Sequence, residues 1–310
     1  MSNAFTDQIQ PFMIDAGAIR GRLVRLGPAL DSILSGHGYP GPVAERLAET
    51  LALAAALAGS LKFDGIFTLQ LQSEGALPLV VADITSAGHL RGYARYDEEK
   101  LAAAIAAEGS IVQRFFTKGY LAFTVDQGPD TDRYQGIVEL TGDTLADCAH
   151  EYFRQSEQLD TGFRLAVRAA DQSRGESAGH GWQAAVIMIQ RMPTGPQSPI
   201  LTADEAEEAW RRAEIMMDSA KESELFDADL TADRLIYRLY HADGLHLYDN
   251  RSLEARCRCS AERVEGTLKS FPREQVEEMK DENGVVAVVC EFCKTGYHFS
   301  DSDLDRLYGA

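Results

Sequence analysis

Cys257-Arg258-Cys259 and Cys290-Glu291-Phe292-Cys293 decide how the end of this chain folds, and the rest is read outward from them. Four of the five cysteines in the 310-residue sequence fall into these two pairs, and everything before them holds only Cys148. Four thiolates close a tetrahedral zinc site, with Zn–S near ~2.3 Å, and leave no coordination position for a substrate. Each pair can also close on itself, because residues two or three apart in a bent backbone reach the ~4.4–6.8 Å Cα separation of a disulfide. Arg256 and Arg258 flank the first pair and Lys294 follows the second. Neighbouring cations favour the thiolate, which is the form that reacts with oxidants. Two roles are open at this point: a purely structural zinc site, and a zinc site that oxidation opens. The Cys-x-Cys spacing, unlike the Cys-x-x-Cys of an ordinary zinc ribbon, tilts toward the second. His298 lies close behind as a substitute ligand, but four thiolates complete the site without it, so it reads as a surface or packing residue. Cys148 reads as a small buried side chain.

Thirty residues, Ser260 to Val289, separate the pairs. They predict helices over 261–270 and 272–280, a turn at Asn283-Gly284, and a strand over 285–289 that delivers Cys290. A domain of this size with so few large apolar side chains is marginal alone. Structural zinc supplies roughly 10–16 kcal/mol of apparent binding energy, and in such modules that is folding energy. Residues 251–310 are therefore expected to form a small zinc-binding domain that unfolds without its metal.

Upstream, composition changes at Met192-Pro193-Thr194-Gly195-Pro196, and residues 193–250 read as a helical linker. Thr202-Ala203-Asp204-Glu205 is a capping-box pattern that opens a helix reaching about Leu225. That helix is crowded with charge, and its apolar set is thin: Trp210, Ala213, Met216, Met217 and Ala220. Such a stripe docks on a neighbour but buries too little to be stable alone. It is either an ordinary surface helix or a conditionally stable linker that needs its neighbours.

Residues 1–192 predict a mixed sheet-and-helix domain. An Ala/Leu-rich helix spans 43–61, and strands at 67–71, 77–84 and 90–96 form a meander between glycine turns. A short helix at 98–107, a strand pair at 120–126 and 135–140, a helix at 144–156 and strands at 164–168 and 182–191 follow. Strands and helices do not alternate strictly, so the fold class is α+β and not a doubly wound parallel sheet.

Asp and Glu number 48 against 30 Lys and Arg, for a formal charge of −18. Without a basic patch, such a chain repels phosphate backbones, so no nucleic-acid partner is expected. No apolar run is long enough to span a membrane, and the first residues lack the pattern of a secretory signal. Few, clustered cysteines suit a cytoplasmic metal or redox site better than a secreted disulfide scaffold. Two short motifs carry little. Gly175-Glu176-Ser177-Ala178-Gly179 lacks the strand and helix that a nucleophile elbow needs. Gly36-His37-Gly38-Tyr39-Pro40-Gly41 lacks a βαβ unit around it. His37, His89, His150, His180, His241 and His246 are scattered and read as solvated or hydrogen-bonded.

The cysteine arrangement resembles the zinc-redox module of the heat-shock protein 33 family of redox-regulated chaperones. Leu61-Lys62-Phe63-Asp64-Gly65, Leu90-Arg91-Gly92-Tyr93-Ala94-Arg95 and Arg133-Tyr134-Gln135-Gly136-Ile137-Val138 are similar to that family as well. Most distinctive is Tyr152-Phe153-Arg154-Gln155-Ser156-Glu157-Gln158-Leu159, followed by Asp160-Thr161 where the family usually has Pro-Thr. Arg238-Leu239-Tyr240-His241 fits too, and the resemblance covers nearly the whole chain. It implies an ATP-independent holdase, not an enzyme, that is inactive when reduced and zinc-bound. Oxidation is then expected to form Cys257–Cys259 and Cys290–Cys293, release one Zn2+ per chain, unfold the linker and yield a homodimer that holds unfolding clients. The zinc ligands and redox thiols carried over are Cys257, Cys259, Cys290 and Cys293. No motif marks client-binding residues. The rival readings are a thiol-disulfide oxidoreductase, for which no thioredoxin-like context is seen, and a zinc-ribbon interaction module.

Overall fold

Gln8–Ile14 (β1) and Ile19–Leu26 (β2) form an antiparallel hairpin with Ile14 opposite Ile19 and Ile9 opposite Val24. In the computed structural model, which describes residues 5–16, 18–128, 131–171, 180–193 and 202–309, this hairpin starts a compact unit, Met1–Ala255. A second unit spans Arg256–Ala310.

The first unit continues through α1 (Pro28–Ser35), α2 (Gly41–Ser60), β3 (Ile66–Ser73), β4 (Leu79–Thr85) and β5 (His89–Arg95). Next come α3 (Glu98–Ala106), α4 (Ile111–Phe115), β6 (Gly119–Asp126), β7 (Tyr134–Glu139) and α5 (Leu145–Tyr152). β8 (Thr161–Arg168) and β9 (Gln183–Arg191) precede α6 (Ala203–Asp218), α7 (Glu222–Leu225) and α8 (Ala232–Tyr240). Three very short strands close the unit: β10 (Leu245–Leu247), β11 (Arg251–Ser252) and β12 (Glu254–Ala255). One sheet has the order β10-β1-β2-β9-β8, with β11 also on β1; the other has the order β12-β5-β4-β3-β6-β7.

Helix α2 shows why its sequence is so rich in alanine. It packs against strands of both sheets, and residues on every side of it are buried. Small side chains let two sheets approach one helix, and an all-round apolar surface is the mark of a buried helix. The main core joins α2 to Val24, Val186 and Met188 of the first sheet and to Phe67, Leu69, Val80 and Ala82 of the second. Strand β9 is buried on both faces, which accounts for its unbroken apolar run. Its second face, with Phe12, Ile14, Ile19 and Leu23, is covered by Trp210, Ala213 and Met217 of α6 and by Leu235, Ile236, Leu239 and Tyr240 of α8.

The architecture is α+β as expected, with several local departures. The helix predicted over 144–156 is α-helical only to Tyr152; Phe153–Glu157 is a π-helical turn that ends at Gln158 with φ 52°. The wider turn brings Glu157 Oε1 within 2.5 Å of the Tyr134 hydroxyl and 2.6 Å of the Tyr152 hydroxyl, both of which donate to it. The helix predicted from Thr202 to about Leu225 stops at Asp218, and a separate short turn, α7, follows. Thr202 and Glu205 do form the reciprocal capping box. Met216, taken with the apolar stripe, is 37% exposed; the buried residues are Trp210, Ala213, Met217 and Ala220. Helix α8 was not foreseen, although its alternation of Leu235, Ile236, Leu239 and Tyr240 with charge suits one buried face. The Gly36–Gly41 stretch joins α1 to α2, so no strand leads into it. The Gly175–Gly179 motif and residues 194–196 of the composition change lie outside the described residues. Among the described residues, no helix is long and apolar enough to cross a membrane.

In the second unit, α9 (Ala261–Leu268), α10 (Arg273–Glu277), β13 (Val286–Val289), β14 (Gly296–Phe299) and α11 (Asp301–Tyr308) surround a small core. That core consists of Leu268, Val276, Val286, Phe299, Leu304 and Leu307.

Candidate metal centre

Both cysteine pairs are placed by local backbone chemistry. Ser260 caps α9, its Oγ accepting from the Arg263 N–H at 3.3 Å. Arg263 Nη1 in turn donates to the Arg258 carbonyl at 2.9 Å, which fixes the Cys257–Cys259 turn. The second pair sits in the loop of the β13–β14 hairpin, where Val289 faces Gly296. There the Cys290 N–H donates to the Thr295 carbonyl at 2.9 Å and the Lys294 N–H donates to the Cys290 carbonyl at 2.8 Å. Lys294 has φ 57°, a left-handed conformation that turns the chain back so that both sulfurs point the same way.

The fold brings all four predicted residues together. The sulfurs of Cys257, Cys259, Cys290 and Cys293 lie within 4.8 Å of one another, the one group of this kind among the described residues. Cys257 Sγ is 3.7 Å from Cys290 Sγ, and Cys259 Sγ is 3.4 Å from Cys293 Sγ. A tetrahedron with Zn–S near ~2.3 Å has S···S edges of about 3.8 Å, so the cage is the right size for such an ion. All-thiolate donor chemistry suits a soft or borderline metal ion and not hard cations such as magnesium or calcium.

The thiols are not alike. Burial pushes Cys259 up to about 12, and burial also raises Cys290. Cys293 goes the other way, to about 6: burial opposes the shift, but hydrogen bonding from Thr295 and the neighbouring thiols outweighs it. Cys293 Sγ and Thr295 Oγ1 are 3.2 Å apart. A cation bound at the centre lowers all four, because a coordinating thiol is deprotonated outright. Thr295 and Tyr297, whose hydroxyl is raised to about 12 by its hydrogen bond with Cys259, were not singled out in the sequence. Their alternate positions after Cys293, Thr295 just before β14 and Tyr297 within it, were the available signal. Of the cations expected to favour the thiolate, Lys294 pairs with Glu291 at 3.0 Å. His298 faces Ala287 across the hairpin and stands outside the thiol cluster. Cys148 is fully buried in the main core of the first unit, and burial raises its thiol pKa.

A family model described as Hsp33 protein matches residues 7–300 of this chain. The chain belongs to the Hsp33 family. It is 41% identical over 294 residues to the 33 kDa chaperonin of Caulobacter vibrioides, covering 94% of each chain. It is 37% identical over 303 residues to the 33 kDa chaperonin of Ectopseudomonas mendocina, covering 97% of this chain and 95% of that one. The crystal structure of the 33 kDa chaperonin (heat shock protein 33 homolog) of Thermotoga maritima shares the fold, with TM-score 0.77 at 20% identity and 98% of each chain covered. The stretch of this Hsp33-family chain that carried most of the resemblance, Tyr152–Leu159, is the one holding the π-helical turn. Asp160, at the position where the resemblance leads to an expected proline, pairs with Arg191 at 3.2 Å and accepts the Arg191 N–H on its carbonyl at 2.9 Å. These contacts hold the turn to β9.

Proposed function

We propose that this chain is a redox-regulated, ATP-independent holdase that binds unfolding proteins without catalytic turnover. The observation that carries the reading is the four-sulfur cage in an Hsp33-family chain, in a unit whose core has six buried side chains. Cys257, Cys259, Cys290 and Cys293 would hold one zinc ion, which supplies a cross-link between the two cysteine turns. The surface ion pairs of this unit, such as Lys280 with Asp301 at 2.6 Å, add little stability of their own.

Under a hydroperoxide, each neighbouring thiol pair loses two electrons and two protons and forms one S–S bond. The peroxide O–O bond breaks, and its oxygens leave as water and an alcohol, or as two waters from hydrogen peroxide. We assign the pairs as Cys257–Cys259 and Cys290–Cys293. Thiols consumed in this way no longer serve as ligands, and a unit with so small a core then unfolds. In functional terms, residues 1–192 form the chaperone core, 193–250 the redox-sensitive linker and 251–310 the switch. The linker's α6 and α8 cover one face of the first sheet, so their loosening frees apolar surface for clients. The oxidised form acts as a homodimer in the cytoplasm, with neither nucleic acid nor membrane as partner.

Aggregation of a heat-unfolded client tests the reading. The reduced, zinc-loaded chain is expected to leave aggregation unchanged, and the peroxide-treated chain to suppress it. Equal suppression in both states removes the switch, and sustained insulin reduction with a dithiol donor would instead favour an oxidoreductase.

A further inference from the structure

We infer that the outer edges of β1 and β5 form a docking surface for an extended segment of an unfolding client, and that Leu245–Ala255 is their built-in occupant. This rests on the redox-chaperone reading and adds to it the surface and the binding mode.

One short stretch of chain closes an edge on each sheet. β10 sets Leu245, His246 and Leu247 opposite Ile14, Met13 and Phe12, and β11 sets Arg251 and Ser252 opposite Ile9 and Gln8. Two residues later β12 pairs in parallel with β5, Glu254 facing His89 and Ala255 facing Leu90. An unpaired strand edge is a row of N–H and C=O groups ready to take an added strand. Here both edges are occupied by a segment from the same chain.

Backbone hydrogen bonds run along the segment. The Tyr248, Leu253 and Glu254 N–H groups donate to the carbonyls of Pro11, Asp7 and Gly88 at 3.1, 3.0 and 3.0 Å. Its side chains add polar contacts at the rim, His246 with Asp15 at 2.7 Å, Asn250 Nδ2 donating to Gln8 Oε1 at 2.9 Å and Arg251 Nη2 donating to the Ser86 carbonyl at 2.9 Å. Its apolar side chains are mostly outward, Leu247 and Tyr248 at 40% and 53% exposed, and Leu253 is deeply seated, at 6%. Leu253 shares a small recess with Ile9, Phe63 and Ile84. Gly88, at φ 88°, lets the chain approach, since a Cβ there would meet the Ser252 carbonyl at 2.5 Å. The main-chain pairing and the Leu253 recess place few demands on sequence, as a holdase needs of its clients, while the rim contacts of His246, Asn250 and Arg251 favour the chain's own segment.

Pro11 tunes this edge. Its carbonyl accepts from Tyr248, but it has no N–H to offer, and the pairing is interrupted between β10 and β11. A proline in an edge strand prevents long, continuous zippers and so protects an opened edge from pairing with copies of itself. The occupant also has a natural point of release. Ala255 is followed directly by Arg256, where the metal-bearing unit starts. Once that unit unfolds, the two-residue β12 becomes the end of an ordered segment, and segments fray from their ends.

The test uses the full chain, reduced and oxidised, with a labelled synthetic peptide of the Leu245–Ala255 sequence. A control peptide carries Tyr248→Pro and Leu253→Pro, which remove two of the donating N–H groups. The native-sequence peptide is expected to bind the oxidised chain at least tenfold tighter than the reduced chain, and tenfold tighter than the control. Amides of residues 8–14 should lose hydrogen-exchange protection on oxidation and regain it with the peptide. Protection that persists after oxidation, or equal binding of the two peptides, overturns the proposal. Both readouts work without a client, so they fail separately from the aggregation assay that tests the chaperone reading.

Discussion

Arg25 of β2 donates from Nη1 to the carbonyl of Leu230 at 2.7 Å, across 205 residues of sequence. The same nitrogen reaches the Asp227 carbonyl at 3.2 Å, and Nη2 reaches the Glu224 carbonyl at 2.8 Å. One buried guanidinium thus gathers the turn between α7 and α8 onto the first sheet. Burial lowers its pKa to about 10, so it stays charged at neutral pH.

Replacing that clamp should loosen the linker without touching a cysteine. Arg25→Leu leaves three carbonyls without their donor, at a cost of about 2–4 kcal/mol. Urea denaturation should show the loss, and hydrogen exchange should show it concentrated in residues 222–240. The reduced variant is expected to suppress client aggregation partly. Unchanged protection in those residues would show that apolar packing alone holds the layer.

Metal removal should affect the second unit selectively. With a core of Leu268, Val276, Val286, Phe299, Leu304 and Leu307, residues 256–310 are expected to lose structure when a strong chelator takes the zinc. The inner strands of the first unit, β2, β3, β4 and β9, should keep theirs. Cys290→Ser should bind zinc at least tenfold more weakly than the parent chain, as measured by a competing chromophoric chelator. Retention of full hydrogen-exchange protection in 256–310 after chelation contradicts the zinc-dependent fold.

Oxidation chemistry makes a sharper demand. Two close sulfur contacts cross between the pairs, Cys259 with Cys293 at 3.4 Å and Cys257 with Cys290 at 3.7 Å. Proteolytic mapping after peroxide treatment is nevertheless expected to find Cys257–Cys259 and Cys290–Cys293. Near neighbours in sequence stay close when the unit unfolds, whereas contacts made by the fold do not. Recovery of the crossed pairs would mean that oxidation is completed before unfolding.

Glu49 on α2 supplies a pH dependence. Its side chain pairs with Arg46 at 3.1 Å through Oε1, while Oε2 has no hydrogen-bond donor. Burial pushes its pKa from 4.5 up to about 7, against the pull of Arg46 and with a small push from Glu45. The fold therefore prefers the neutral acid. That preference stabilises the protein fully below pH 4.5 and is lost as pH rises through about 7. Glu49→Gln should remove this dependence and stabilise the chain at pH 8 by up to about 3 kcal/mol, as read by urea denaturation at pH 5 and pH 8. An identical pH profile for parent and variant would show that Arg46 keeps the carboxylate ionised throughout.

Much of the design was legible before any coordinates. Two cysteine pairs in a poorly apolar C-terminal stretch specified a metal-sized cage, because ligand type and spacing are local properties. The alanine-rich 43–61 helix and the strands around it were readable for the same reason, since periodicity and propensity act over a few residues. β1, β2, α1, α4 and α8 were missed although regular in themselves, while other missed features have tertiary causes. β10, β11 and β12 are two or three residues long and exist only because β1 and β5 offer them an edge. The π-helical turn at Phe153–Glu157 leaves Glu157 as shared acceptor of two tyrosine hydroxyls, one of them from β7. The thiol contrast has the same origin: against burial, Thr295 and the neighbouring thiols together lower Cys293 to about 6, while the lysine beside it pairs with Glu291.

The sequence alone determined the donor set, the family and the α+β class, because these depend on residue identity and short-range pattern. Tertiary structure decided which strand edges Leu245–Ala255 closes, which carbonyls Arg25 gathers, and that Cys293 is lowered while Cys259 and Cys290 are raised. Those depend on groups far apart in the chain, whose meeting is set by packing and not by spacing.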